Sequence, residues 1–388
     1  MSKAKSTNLK APGTPLRGAG GLQWYEIKNI NTIDSPALVI YPERIAENTR
    51  MLINMAGNNL EKLRPHVKSN KISEVCQMMQ DAGIRKFKCA TIAEAEMLAI
   101  IGAKDVLLSY QPVGPKIHRF IHLINQYPST IFSCLVDNIL AAEEISKQCL
   151  AAKIMAKVFI DVNSGMNRTG ILPSKVLLLF EALQLLPAIT VAGLHIYDGH
   201  IHESDLEART SHIESEFTKI TIIAQTIETI TGKKTTLVAG GSPTFPVHAK
   251  NQDVECSPGT FIFWDWGYKH NFPDEPFDYA ALVITRVISI VGENTITTDL
   301  GHKSVAAENP LPRVYFLNAP DTIAVSQSEE HLVLRVDDAA KFTIGDVLYG
   351  VPVHICPTVA LYEKAFVVKN NIVTSEWQVI ARNRKINI

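Results

Sequence analysis

Several short polar runs in the chain carry side chains able to do chemistry. RPHVK (64–68) ends in Lys68, with His66 beside it and the cations Arg64 and Lys71 close in sequence. A lysine amine partly withdrawn from water among other cations gives up its proton more readily, as a Schiff-base lysine must. GGSPT (240–244) joins two glycines, which let backbone approach an anion closely, to the hydroxyls of Ser242 and Thr244. Gly259 and Thr260 in PGT (258–260) would form the complementary half of a phosphate cradle. SGMNRTG (164–170) supplies Arg168, a planar donor suited to a phenolate or a carboxylate. In VPVHICPTV, His354 and Cys356 stand two residues apart; on a strand they would share a face and converge on one metal ion. Each run also has an ordinary structural explanation: a solvated strand-end cation, a plain glycine turn, a capping guanidinium, a buried thiol beside a satisfied histidine. Together, a Schiff-base lysine and a phosphate cradle point to pyridoxal 5′-phosphate (PLP).

These residues must be brought together by an architecture that gathers strand ends on one face. β-Branched or apolar runs recur at 63–68, 86–90, 105–110, 131–136, 157–162, 189–197, 235–240 and 254–259, with amphipathic stretches between them. Alternating β and α units make a parallel sheet, because parallel neighbours need a crossover connection. Eight such units over roughly 220 residues predict a closed (β/α)8 barrel of the TIM type rather than an open doubly wound sheet. Chemistry in that fold is built from the loops after the strands. Lys68, Asp161, Arg168, His195, Tyr197 with DGHIH behind it, GGSPT and PGT all fall there.

From Phe277 onward the helical periodicity stops and β-formers cluster between turn signals, predicting a second, mostly β domain. Its boundary falls in NFPDEPFD (271–278). The expected division is a flexible leader at 1–20, a PLP-binding barrel over 36–270 that opens with the strand PALVIY (36–41), and a β domain of 21–35 plus 271–388 carrying the metal motif. LQWYEIKNI (22–30) is expected to add a strand to that β domain.

With 38 Lys and Arg against 39 Asp and Glu, the net charge is −1. No positive excess exists to attract nucleic acid or an anionic membrane surface. No apolar run approaches the roughly 20 residues that span a bilayer. The N-terminal run has positive charge but no apolar segment behind it, so it reads as a leader rather than a signal peptide, and the protein as cytoplasmic. Six cysteines without CxxC spacing argue against a disulfide framework and a zinc knuckle. The expected partner is a small zwitterionic molecule.

From about residue 36 to the C-terminus the chain resembles the fold-type III PLP enzymes, the alanine-racemase-like barrel group, and within it the D-threonine aldolase and D-serine dehydratase branch. The resemblance rests on RPHVK, SGMNRTG, GGSPT, PGT, DLGHKS (299–304) and HICPTV (354–359), in order. It implies that Lys68 carries PLP as a Schiff base, and that Arg168 and Tyr197 contact the cofactor near its phenolate. It further implies that Gly241, Ser242, Thr244, Gly259 and Thr260 hold the phosphate, while His354 and Cys356 bind a divalent metal, zinc or manganese, beside it. Family members are homodimers with composite active sites. Two departures stand out: Asn70 replaces a histidine common in relatives, and Phe261 a tyrosine.

The implied activity is a lyase for D-configured 3-hydroxy amino acids. Retro-aldol cleavage to glycine and an aldehyde would use His200 or His202 as the base for the β-hydroxyl. The alternatives are a D-serine dehydratase, in which Lys68 removes the Cα proton, an amino acid racemase, and a non-catalytic PLP-binding protein.

Overall fold

The computed structural model describes residues 21–388; the expected leader at 1–20 lies outside the described residues. The first strand, β1 (Ala37–Ile40), is apolar and buried at all four positions, so it suits the middle of a sheet covered on both faces. It lies in the β-domain sheet rather than opening the barrel, between an antiparallel and a parallel neighbour. The barrel strands follow as β2 (Lys86–Cys89), β3 (Asp105–Leu108), β4 (Ile131–Val136), β5 (Ala156–Val162), β6 (Ile189–Ile196), β7 (Thr236–Ala239) and β8 (Val254–Cys256), parallel and paired in chain order.

The eighth stave is the run 63–66. It is bridged on one side to β8, where Arg64 N–H donates to Cys256 O (2.9 Å) and His66 N–H to Pro258 O (3.0 Å). On the other side Lys88 N–H of β2 donates to Pro65 O (2.9 Å), and the barrel closes. Pro65 has no N–H to offer, and a 3-10 turn at Val67–Ser69 begins at once, so this stave makes isolated bridges instead of a ladder.

Helices α1 (Pro42–Met55), α2 (Ser73–Asp81), α3 (Ile92–Ile100), α4 (Pro115–Gln126), α5 (Ile139–Ala151), α6 (Val176–Gln184) and α7 (Leu206–Thr231) cover the outside. Thr91, Asn138 and Asp205 start α3, α5 and α7 by accepting a first-turn amide on their side chains. Side chains alternate along each strand. Val106, Leu108, Cys134, Val136, Val158 and Ile160 face the helices in the main core. Leu107, Leu135, Phe159 and Val238 form a separate cluster inside the barrel. That plug leaves the interior packed rather than hollow, and polar side chains sit above it.

The β domain adds β9 (Ala281–Ile290), β10 (Thr295–Thr298), β11 (Val314–Phe316), β12 (Ile323–Gln327), β13 (Leu332–Arg335), β14 (Val347–Pro352), β15 (Lys364–Lys369) and β16 (Ile372–Gln378). The main path runs β12-β13-β10-β9-β1-β15-β16, with β14 pairing β9 and β11 off it. LQWYEIKNI forms no strand. Its Trp24, Tyr25 and Ile27 pack against Tyr41 and Tyr349, and Asn29 ties it to Val373 through side-chain hydrogen bonds. No helix among the described residues is long and apolar enough to cross a membrane.

Candidate active site

Lys68 lies in the turn after the eighth stave, its Nζ 5.7 Å from the centroid of the Tyr197 ring. Tyr197 follows β6 directly, and the guanidinium of Arg168, from the loop after β5, stands 4.6 Å over the same ring. A third cation, Lys88 of β2, is 5.8 Å from it. Three basic side chains thus gather around one aromatic ring at the barrel mouth, where its quadrupole attracts positive charge. The cationic neighbours expected for Lys68 from sequence are elsewhere. Arg64 is buried at the opposite rim, paired with Asp105 (2.6 Å) and Glu255 (2.7 Å). Lys71 is neutralised by the buried Glu94. The cation that shares the mouth is Lys88.

Lys88 received no role from the sequence, although its alternation with Phe87 and Cys89 turns it into the barrel. It is 2 % exposed, and its amine donates to Ser257 Oγ (2.7 Å) and His195 Nε2 (3.2 Å). Burial, reinforced by the charge of Lys68, pushes the Lys88 amine down to about 7, against the pull of Asp198 and Asp161. His195 Nδ1 donates to Asp161 Oδ1 (2.7 Å), which leaves Nε2 as the acceptor. Burial and Lys88 lower the value of His195; Asp161 is held low although burial opposes it, because His195 bonds it. His66 is buried, bonds Ser109 Oγ (3.3 Å), and is pushed well below the ordinary value by burial and by Lys68 and Lys88. The mouth therefore rests on neutral imidazoles and a buried amine with an unusually loose proton.

The two halves of the expected phosphate cradle touch: Thr260 N–H donates to Ser242 Oγ (3.2 Å). A Cβ on Gly259 would lie 2.8 Å from His66 O and 3.0 Å from Ser69 Oγ, so only glycine lets this loop press against the turn bearing Lys68. A Cβ on Gly241 would make ordinary contact with Tyr197. Thr244 is turned away from this group. Its hydroxyl donates to Asp198 Oδ1 (2.8 Å), whose other oxygen accepts from His248 Nε2 (2.7 Å). Asp198, in the DGHIH run, pins the GGSPT turn from behind. The donor set of a mouth lysine, an arginine at an aromatic ring and two joined small-residue loops fits PLP.

His354 does not sit on a strand. β14 ends at Pro352, and His354 caps the short helix Ile355–Val359, where Asp265 Oδ2 accepts Ile355 N–H (3.0 Å). The two residues therefore share no strand face, yet their side chains still meet. Burial lowers His354, but its hydrogen bond and attraction to Cys356, with Asp265 and Glu308, outweigh that and push it up to about 9. Burial opposes ionisation of Cys356, while His354 and then Lys68 hold its thiol below the usual value. Cys356 Sγ lies 3.0 Å from Ser69 Oγ and 3.5 Å from Thr260 Oγ1. An imidazole and a thiol that ionises easily are a soft donor pair, and they fit a divalent metal.

His200 bonds Glu216 through Nε2 (3.0 Å), and the exposed His202 points Nδ1 at His200 O (2.5 Å). No hydrogen bond among the described residues joins either to Lys68 or to the His354–Cys356 pair. Asn70 is buried and accepts Ile72 N–H (3.0 Å), and Phe261 packs on Phe277 in the core.

A closed (β/α)8 barrel with a lysine at its mouth, two small-residue loops facing it and a β domain alongside is the arrangement of fold-type III PLP enzymes. Residues 40–265 match the family model "Alanine racemase, N-terminal domain", and the chain belongs to that family. Residues 280–368 match a model described as "Putative serine dehydratase domain". Among curated proteins, D-threonine aldolase of Arthrobacter sp is 28% identical over 363 residues, 90% of this chain and 93% of the relative. A 3-hydroxy-D-aspartate aldolase of Paracoccus denitrificans (strain Pd 1222) is 24% identical over 365 residues, 91% and 93% of the two chains. Among solved structures, D-threonine aldolase from Filomicrobium marinum matches with a TM-score of 0.83 at 24% identity, covering 90% of this chain and 95% of that one. D-threo-3-hydroxyaspartate dehydratase from Delftia sp. HT23 matches with a TM-score of 0.79 at 21% identity, covering 89% and 97%. At those identities the structural likeness speaks for the fold.

Proposed function

We propose that the protein is a PLP- and divalent-metal-dependent lyase of D-3-hydroxy amino acids that cleaves them by a retro-aldol reaction to glycine and an aldehyde. The observation that carries this reading is the meeting of the Lys68 turn with the His354–Cys356 pair, through Cys356 Sγ and Ser69 Oγ at 3.0 Å. An amine-binding group and a metal-binding group side by side suit a substrate with its amine and hydroxyl on adjacent carbons.

Lys68 holds the cofactor, Arg168 and Tyr197 orient its ring, and Gly241, Ser242, Gly259 and Thr260 receive its phosphate. PLP supplies an electron sink for negative charge at Cα. His354 and Cys356 hold the metal, which supplies Lewis acidity toward the β-hydroxyl; the thiolate favours zinc over manganese. The relative D-threo-3-hydroxyaspartate dehydratase is known as a histidine-to-alanine variant and as a cysteine-to-alanine variant in a metal-free form, the two positions two residues apart, as here. His202, with its ring exposed, is the candidate base for the hydroxyl proton in aldol cleavage, since His200 is engaged by Glu216. In the dehydratase alternative Lys68 takes the Cα proton. The D-threonine aldolase relative is 28% identical against 25% for the D-threo-3-hydroxyaspartate dehydratase of Delftia sp. (strain HT23), which supports the aldol branch. Two subunits pair so that the β domain of one covers the barrel mouth of the other.

Incubation with D-threonine, D-serine and 3-hydroxy-D-aspartate, with aldehyde, glycine, ammonia, 2-oxo acid and L-isomer assayed separately, tests this reading. Glycine plus aldehyde is expected. Ammonia plus oxo acid would move the assignment to the dehydratase, and L-isomer alone would end the lyase reading.

A further inference from the structure

A second group of metal-type donors lies beside the mouth, apart from His354 and Cys356. The connection from β6 to α7 bends His200 back over the first turns of the helix, where His212 and Glu216 are one turn apart on the same face. His200 Nε2 stands 3.0 Å from one oxygen of Glu216, and His212 Nε2 stands 3.4 Å from the other. Their rings are 5.9 Å apart and nearly perpendicular (84°), so both nitrogens aim at one carboxylate. Ligand atoms each about 2.0–2.1 Å from a tetrahedral zinc are ~3.3 Å from one another. The two observed separations bracket that edge.

The hydrogen bonds behind the cluster orient His212 toward a cation. His212 Nδ1 donates to Glu203 Oε1 (2.7 Å). A neutral imidazole that donates from Nδ1 presents a lone pair at Nε2. That lone pair faces a carboxylate oxygen, an arrangement that needs a cation between the two, whether a proton or a metal. A carboxylate on the far nitrogen of a histidine ligand is the usual support of such a site. His200 Nδ1 and Glu203 Oε2 are buried without partners among the described residues. The loop after β5 covers the cluster with bare backbone: a Cβ on Gly165 would lie 2.4 Å from His200 Nε2 and 3.1 Å from Glu216 Oε1.

We propose that His200, His212 and Glu216 form a second zinc site, with Glu203 orienting His212 and water at the remaining position. Two imidazoles and a carboxylate with one open position make a set that zinc accepts. Bound there, zinc ties the β6–α7 connection that begins at Tyr197 to the helix, beneath the loop that carries Arg168. It acts as a clamp on two walls of the mouth. The proposal deepens the lyase reading by giving His200 a ligand's place rather than a base's.

Zinc content of the full-length protein, dialysed against excess zinc and then freed of loose metal, tests it, with Cys356→Ala used to remove the first pair. The Cys356→Ala protein is expected to keep one zinc per chain, with an absorption-edge spectrum showing nitrogen and oxygen neighbours at about 2.0–2.1 Å and no sulfur near 2.3 Å. Adding Glu216→Gln, or separately His212→Asn, is expected to abolish that zinc, with circular dichroism reporting that the chain stays folded. Gly165→Ala in the same background is expected to weaken zinc at least tenfold. A Cys356→Ala protein that holds no zinc, or one whose zinc survives both Glu216→Gln and His212→Asn, overturns the proposal. The lyase reading fails separately, by lack of activity on D-3-hydroxy amino acids in wild-type protein whatever the zinc count.

Discussion

Replacing Lys88 by methionine tests the electrostatics of the barrel mouth most directly. The side chain is 2 % exposed and its amine is pushed down to about 7 from the ordinary 10.5, chiefly by burial and next by Lys68. Between those two values the unfolded chain holds the proton and the folded chain has shed it. The unfolded state therefore binds more protons there, and stability rises with pH. This contribution is fully present above 10.5 and is lost as pH falls to about 7. The whole interval amounts to about 5 kcal/mol, and the part between pH 7 and 9 to about 2 kcal/mol. Lys88→Met keeps most of the apolar stem and abolishes the titration. The assay is urea unfolding of cofactor-free wild type and variant at pH 7 and pH 9. Wild type is expected to gain about 2 kcal/mol relative to the variant over that step. Titrating groups that Lys88 does not perturb, His354 and Cys356 among them, are common to both proteins and cancel in the difference. A difference that stays constant within about 0.5 kcal/mol would refute the assignment of a buried, loosely protonated amine.

Gly259→Ala forces its new methyl group against His66 O, backbone that must shift, so PLP affinity is expected to fall at least tenfold, about 1.4 kcal/mol, by fluorescence titration of cofactor-free protein; unaltered affinity would count against the cradle. Arg64→Met strands Asp105 and leaves Glu255 with Lys86 alone at the far rim, and a loss of about 3 kcal/mol is expected in urea unfolding. Phe159→Ala opens the plug inside the barrel and is expected to cost about 3–5 kcal/mol in the same measurement. Cys356→Ala is expected to abolish lyase activity yet leave the borohydride-reducible near-visible band of bound PLP, whereas Lys68→Ala should remove both. Retention of full activity by Cys356→Ala would separate the metal pair from the reaction.

The barrel was legible because its signal is local. Each strand is a run of β-branched or apolar residues, each helix an amphipathic stretch, and their alternation leaves few topologies. The eighth stave was legible as a β-run even though Pro65 keeps it from laddering. PALVIY was legible as a strand, but nothing within six residues says which sheet will take it; β9 and β15 do, from more than 200 residues away in sequence. The spacing of His354 and Cys356 suits a strand that does not form there, and they meet because the chain turns into a short helix whose first amide Asp265 accepts.

Residue types and spacing were enough to mark the loops that build the mouth: Lys68, Arg168, Tyr197, GGSPT and PGT all reach it or stand directly behind it. Their charge states were beyond reach, since protonation follows from burial and from neighbours remote in the chain. Lys88 owes its loose proton to burial inside the closed barrel and to the charge of Lys68, with hydrogen-bond partners 107 and 169 residues away, and Arg64, four residues before Lys68, spends its charge on carboxylates at the opposite rim. Local pattern dictates which elements form and where loops fall, because hydrophobic periodicity acts within each element. Which polar groups end up sharing a dry interior, and therefore which of them can move a proton, is settled when the barrel closes.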